Sequence, residues 1–188
     1  MAINVELYKV NRDSWQNKVG DLGEHCVVRR LAERGWKIRK NKDGTAGHEL
    51  STLYDYDGFF TNKNGITCHR LIEIKTRKAF DYAFGKFKVL QLPKNRCDAY
   101  DDYIEERHLP MDFFWTDFRN RVILKQTFKD LLIPCEINGK NFPFFSDNYE
   151  NVEPSMFFAA EQFDYFDDID FSEYRQFLDI LDKYDVDL

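Results

Sequence analysis

Residues 53–75 read LYDYDGFFTNKNGITCHRLIEIK, two apolar-rich segments on either side of Asn62-Lys63-Asn64-Gly65. A three-residue loop, Lys63-Asn64-Gly65, with glycine in the left-handed position closes a hairpin and pairs Asn62 with Ile66. Carrying that register back sets Asp55 opposite Glu73 and Asp57 opposite Leu71. Because side chains alternate along a strand, Asp55, Asp57, Glu73 and Lys75 share one face. Tyr54, Tyr56, Phe60, Ile66, Cys68, Ile72 and Ile74 fall on the other. The expectation is one core face and one face for chemistry. A two-residue loop would shift the parity and separate Asp57 from Glu73, so the reading depends on this turn.

Glu73 and Lys75, two residues apart in a strand, project together. An isolated Glu-x-Lys is usually a solvated ion pair. Two carboxylates beside a lysine suit Mg²⁺, a hard ion that takes one or two carboxylates plus water and phosphate oxygens. Such an ion makes a nucleophile of bound water, and a lysine at its edge holds or deprotonates that water. The residues therefore point to phosphodiester hydrolysis.

Working outward, Val19, Leu22, Cys26, Val27, Arg30 and Leu31 follow three-or-four spacing and predict a helix over Ser14–Arg34, stopped by Gly35. A short strand over Trp36–Arg39 and a polar loop over Asn41–Gly47 follow. A helix over Pro93–Arg107, strands over Asp112–Thr116 and Arg121–Lys125, and a hairpin in Cys135–Phe145 around Asn138-Gly139 come next. A terminal helix spans Phe171–Tyr184, with Phe171, Tyr174, Phe177, Leu178 and Leu181 on one side.

Gly23-Glu24 in the first helix, Asp57-Gly58-Phe59 on one strand and Ile72-Glu73-Ile74-Lys75-Thr76 on the next resemble the PD-(D/E)XK nuclease superfamily, the restriction-endonuclease-like fold. The resemblance implies an α+β core of helix, three strands, helix and strand, with a central mixed β-sheet flanked by helices, over about residues 14–125. It implies that Asp57 and Glu73 bind Mg²⁺ or Mn²⁺, that the Ile74 carbonyl ligates it too, that Lys75 serves the attacking water, and that Glu24 reaches the site from the helix. The superfamily's proline is absent, since Tyr56 precedes Asp57. That leaves two candidates: the following Gly-Phe favours Asp57, which is preferred, and the position opposite Glu73 favours Asp55. The activity implied is a metal-dependent deoxyribonuclease, an endonuclease, with an RNA endonuclease or an inactive binding module as alternatives.

Accessory candidates are His48, Thr76, Arg77, Lys78, Gln91 and Lys94. Of the 188 residues, 43% are hydrophobic, with 18 Phe and 10 Tyr but only 9 Gly and 5 Pro, which excludes a disordered or collagen-like chain. The net charge of -6 hides an asymmetry: residues 1–91 carry 17 Lys+Arg against 11 Asp+Glu, and residues 92–188 carry 10 against 22. Lys37, Arg39, Lys40, Lys42, Arg77, Lys78, Lys86 and Lys88 supply the local field that a DNA backbone requires. Tyr82, Phe84 and Phe87 interleave with them as core or stacking residues. The organisation expected is a nuclease-like domain over 1–135 and an acidic, aromatic extension over 136–188 packed on it. Four dispersed cysteines predict reduced thiols, and the absence of a long apolar run predicts a cytoplasmic protein without a membrane span. Duplex cutting by one site per chain would call for a homodimer.

Overall fold

The computed structural model describes residues 14–41, 53–77, 81–83, 87–147 and 154–187. Helix α1 (Trp15–Glu33) begins where the Ser14 hydroxyl accepts from the Asn17 N–H at 3.3 Å. It ends at Gly35, whose φ of +81° an L side chain resists. Strands β1 (Lys37–Lys40), β2 (Tyr56–Thr61) and β3 (Thr67–Arg77) follow, then β4 (Asp81–Ala83), β5 (Phe87–Pro93) and helix α2 (Lys94–Arg107). Next come β6 (Met111–Asp117), β7 (Val122–Thr127) and the single turn α3 (Phe128–Leu131). The chain continues through β8 (Cys135–Ile137), β9 (Lys140–Phe142), β10 (Phe144–Ser146), β11 (Ser155–Ala159), β12 (Asp164–Asp168) and α4 (Phe171–Lys183).

The main sheet has the order β1-β2-β3-β6-β7-β12, mixed because β3 and β6 run parallel while the other neighbours are antiparallel. Its first four strands with α1 and α2 make the helix, three strands, helix, strand order that the resemblance implies. A second sheet, β10-β11-β5-β4, and the hairpin β8-β9 complete the described strands.

The hairpin closes as the turn predicts. Asn62 N–H donates to the Ile66 carbonyl at 2.9 Å, Gly65 takes φ +78°, and Asp57 stands opposite Leu71. The two faces differ from expectation. One is covered by α1, with Val27, Ile72, Ile74 and Phe114 in its core. The other is covered by α2, α3 and the second sheet, with Leu71, Tyr100, Phe113 and Trp115 buried there. Both faces are core. Tyr54 lies before β2 begins, where strand alternation no longer holds, and packs with Leu71; Ile66, in the turn, is 59% exposed.

The acids that follow residue 160 are in part counter-charges for α1. Arg30, buried within its apolar stripe, meets Glu173 at 3.1 Å and Asp167 at 3.3 Å, and Arg34 meets Asp167 at 2.9 Å. Strand β12 extends the sheet at β7, and Phe177 of α4 stacks on Phe118 at 4.8 Å. Phe171, expected on the apolar side of α4, is 67% exposed because it starts the helix, beyond the packed turns. All four cysteines are free thiols, Cys26 and Cys97 buried. Among the described residues no helix is long and apolar enough to cross a membrane.

Gly23 sets how closely α1 approaches β3. A Cβ there would lie 2.0 Å from Thr76 Oγ1 and 2.7 Å from Thr116 Oγ1, two hydroxyls joined at 2.9 Å, whereas a Cβ on Gly20 meets nothing within 4 Å. Gly23→Ala is expected to lower stability by about 1–3 kcal/mol through overpacking. Gly20→Ala is expected to raise it by about 0.5–1 kcal/mol through helix propensity. Urea unfolding of the two variants checks the opposite signs.

Candidate active site

Asp55 sits at the point where β2 leaves the ladder. Its N–H donates to the Ile72 carbonyl at 2.9 Å and its own carbonyl accepts from Asn41 N–H at 2.9 Å. Two residues on along β3, the Ile74 N–H donates to the Asp55 carboxylate, Oδ2 accepting at 2.7 Å. The N–H and C=O of a strand residue point to the same edge. The Ile74 carbonyl therefore projects towards Asp55 as well.

Glu73, fully buried, is the next group inward. Its Oε1 accepts from the Tyr100 hydroxyl at 2.6 Å and from the Lys75 ammonium, with Arg96 at 3.8 Å. Arg96 Nε in turn donates to the Tyr100 hydroxyl at 2.9 Å, so α2 holds one carboxylate oxygen through a two-step chain. The other oxygen, Oε2, is buried without a hydrogen-bond partner. A buried carboxylate oxygen left unpaired is costly, and native proteins rarely leave one without a use.

Burial raises the Asp55 carboxyl to about 7; the Glu73 charge adds to this, the Lys75 ammonium and Ile74 N–H oppose it, and Glu24 adds a smaller push upward. Burial also pushes the Tyr100 hydroxyl up, reinforced by Glu73, which keeps it a donor. Glu24, from α1, accepts from the Tyr56 hydroxyl at 2.6 Å and from Lys40 at 3.2 Å. The Asp55 carboxyl therefore bonds the Ile74 N–H and feels the charges of Glu73, Lys75 and, more weakly, Glu24.

Asp57 does not join them. Its Oδ1 meets His69 Nε2 at 2.7 Å and the Tyr54 hydroxyl at 3.5 Å, and its Oδ2 accepts from Arg39 at 2.9 Å. His69 lies on β3 on the far side of Leu71 from Glu73, so the Asp57 carboxylate is directed away from Glu73. The preferred aspartate of the sequence reading and the one beside Glu73 are different residues.

The accessory candidates are also placed. Thr76 turns to Thr116 on the α1 side, Arg77 donates to the Gln91 carbonyl at 3.3 Å, Gln91 Nε2 donates to Ser155 Oγ at 3.0 Å, and Lys94 pairs with Asp98. Phe87 is core, 4% exposed. His48, Lys42, Lys78, Phe84 and Lys86 lie outside the described residues. Tyr100 and Arg96 were missed. The signal for them was the spacing of Cys97, Tyr100 and Ile104, which turns a phenol inward from an otherwise acidic helix.

Among the described residues no group of three or more His, Cys, Asp and Glu side chains is gathered into a ready metal cage. The donors present still suit Mg²⁺ or Mn²⁺. Glu73, with Oε2 unpartnered, and Asp55, which feels its charge, offer two carboxylates and, with the Ile74 carbonyl, only oxygen, and Mg²⁺ keeps several waters rather than an all-protein cage.

No protein-family model matches the sequence, and no curated protein matches it. Among solved structures, the chain is similar to Hjc from Archaeoglobus fulgidus, a Holliday junction resolvase, at 14% identity and a TM-score of 0.46, over 77% of this chain and 91% of that one. It is similar to D212, a nuclease from a fusselovirus, at 9% identity and a TM-score of 0.46, over 98% of each chain.

Proposed function

We propose that this chain is a divalent-metal-dependent nuclease hydrolysing DNA phosphodiester bonds as an endonuclease. The observation that carries the reading is Glu73: a fully buried carboxylate with one oxygen fixed by Tyr100 and Lys75 and the other unpartnered, its charge felt by the Asp55 carboxyl. Two buried acids at close quarters repel, and a cation between them relieves both.

In this reading Asp55 and Glu73, with the Ile74 carbonyl, hold Mg²⁺ or Mn²⁺, and Glu24 assists from α1. A bound ion would supply Lewis acidity at the phosphate and a more acidic water. Lys75, whose ammonium donates to Glu73, orients the attacking water. Tyr100 and Arg96 hold the Glu73 side chain through Oε1, which leaves Oε2 available as a donor to a metal. Lys40, 64% exposed at the side chain and paired with Glu24, faces the incoming phosphate chain.

The test is a digestion panel of duplex, branched, single-stranded and circular DNA, with RNA alongside, in Mg²⁺, Mn²⁺ and chelator. Metal-dependent cutting of DNA is expected; cleavage of RNA alone moves the substrate, and no cleavage of any member removes the enzyme reading.

A pH dependence follows from Asp55. Its carboxyl must be ionised to bind metal, so the metal concentration for half-maximal cleavage is expected to fall about tenfold per pH unit below about pH 7 and then level off. The stability sign is opposite. A carboxyl raised from 3.8 to about 7 stabilises the metal-free fold at low pH, and that contribution is lost as pH rises through about 7. The metal-free protein is expected to melt lower at about pH 8 than at about pH 6, and Mg²⁺ to offset that loss, as calorimetry at the two pH values checks.

A further inference from the structure

Asp57 is buried, yet each of its oxygens meets a group that reaches the surface. Arg39 comes from β1 on one side and His69 from β3 on the other, at 2.9 and 2.7 Å, and their side chains remain 67% and 30% exposed. Phe59, two residues along β2 and therefore on the same face, lies beneath them. The His69 ring stacks on it at 4.5 Å with planes 17° apart, and the Arg39 guanidinium lies over it at 5.7 Å. Lys37, exposed, stands directly across from Phe59 and shares the face.

We propose that Arg39, His69 and Lys37 form a clamp for the phosphodiester backbone of the bound nucleic acid, with Asp57 as its positioning residue. The inference rests on the nuclease reading and names a substrate contact that reading leaves open. Three features carry it. The patch shares the sheet face of Glu73 and Lys75, with His69 four residues from Glu73, about 13 Å along β3. That separation places it beside a neighbouring stretch of the same nucleic acid, away from the reacting phosphate. Phe59 is already covered by the chain's own imidazole and guanidinium, so the patch presents N–H donors and positive charge rather than a bare ring for base stacking. A buried carboxylate that gathers two long side chains from different strands removes their rotamer freedom before binding.

The test uses the full chain in Ca²⁺, which supports binding without turnover, and a fluorescent DNA duplex whose affinity is followed by anisotropy across a KCl series. Arg39→Ala is expected to weaken binding about tenfold and to lower the slope of log affinity against log salt by about one. Asp57→Asn is expected to weaken binding as well. Deleting a negative charge beside phosphate should strengthen binding if only net charge matters, so this result separates positioning from bulk electrostatics. Asp57→Asn binding as tightly as the parent or tighter, or Arg39→Ala keeping the parental slope, overturns the clamp. Should Asp57→Asn fail to fold, Arg39→Ala decides, since that side chain is two-thirds exposed. A parent that cuts DNA while its variants bind unchanged overturns the clamp alone; a parent that neither binds nor cuts overturns the nuclease reading with it.

Discussion

Lys75→Ala is expected to lower single-turnover DNA cleavage in saturating Mg²⁺ by about 10³-fold, within the range for loss of a positioned acid–base group. The ammonium is not the sole partner of the Glu73 carboxylate. It extends along the face of β3 to Glu73 Oε1, an oxygen that Tyr100 already serves and Arg96 approaches, so it is not needed to satisfy that atom. Its side chain is 30% exposed, as a group meeting water and substrate requires. Removing it leaves Glu73 with less compensating charge, a cost of about 1–3 kcal/mol. The variant should therefore melt lower in chelator and recover much of the loss in Mg²⁺. Affinity for DNA in Ca²⁺ should stay close to the parent's. Cleavage at the parental rate by purified, folded Lys75→Ala would remove Lys75 from the chemistry, and loss of DNA binding in step with cleavage would make it a substrate-binding group instead.

What could be read beforehand follows the range of the interactions involved. The β2-β3 hairpin was legible because its register is set by a three-residue turn, and Gly65 at φ +78° is a local requirement. Helix α1 was legible through Ser14, Gly35 and an apolar stripe that includes Arg30, whose burial is explained only by Glu173 far along the chain. The second sheet was not. Strand β5 is a short apolar run without period, and its partner β11 lies more than sixty residues away, with nothing local to announce the pairing. Strand β12 carries three aspartates and reads as a solvated tail until β7 is seen beside it. The site divides in the same way. Glu73 and Lys75 came from spacing, and the reach of Glu24 from the resemblance. Alternation puts Asp55 and Asp57 on one face and cannot choose between them. The choice is made by where β2 detaches from β3, and by Arg39 and His69 drawing Asp57 aside.

Asp55→Asn and Asp57→Asn are accordingly expected to part company in both activity and stability. Asn at 55 can still accept from the Ile74 N–H, but it removes the negative charge that would hold a metal. Cleavage should fall about 10³-fold, with a large rise in the Mg²⁺ requirement. The same change relieves the repulsion from Glu73 and the cost of burying an ionised carboxyl, which at about pH 8 should raise the stability of the metal-free protein by about 1–3 kcal/mol. Asn at 57 does the reverse. It leaves Arg39 and His69 without their shared anion inside a 5% exposed site, which should lower stability by about 1–3 kcal/mol. Cleavage at saturating DNA should persist within about threefold, the loss appearing in KM as the substrate contact loosens. Opposite signs in melting, coupled to opposite patterns in kcat and KM, are hard to obtain from any arrangement in which Asp57 holds the metal. If Asp57→Asn abolishes turnover and Asp55→Asn keeps it, the ion sits with Asp57, and Asp55 serves only to close the edge of β3.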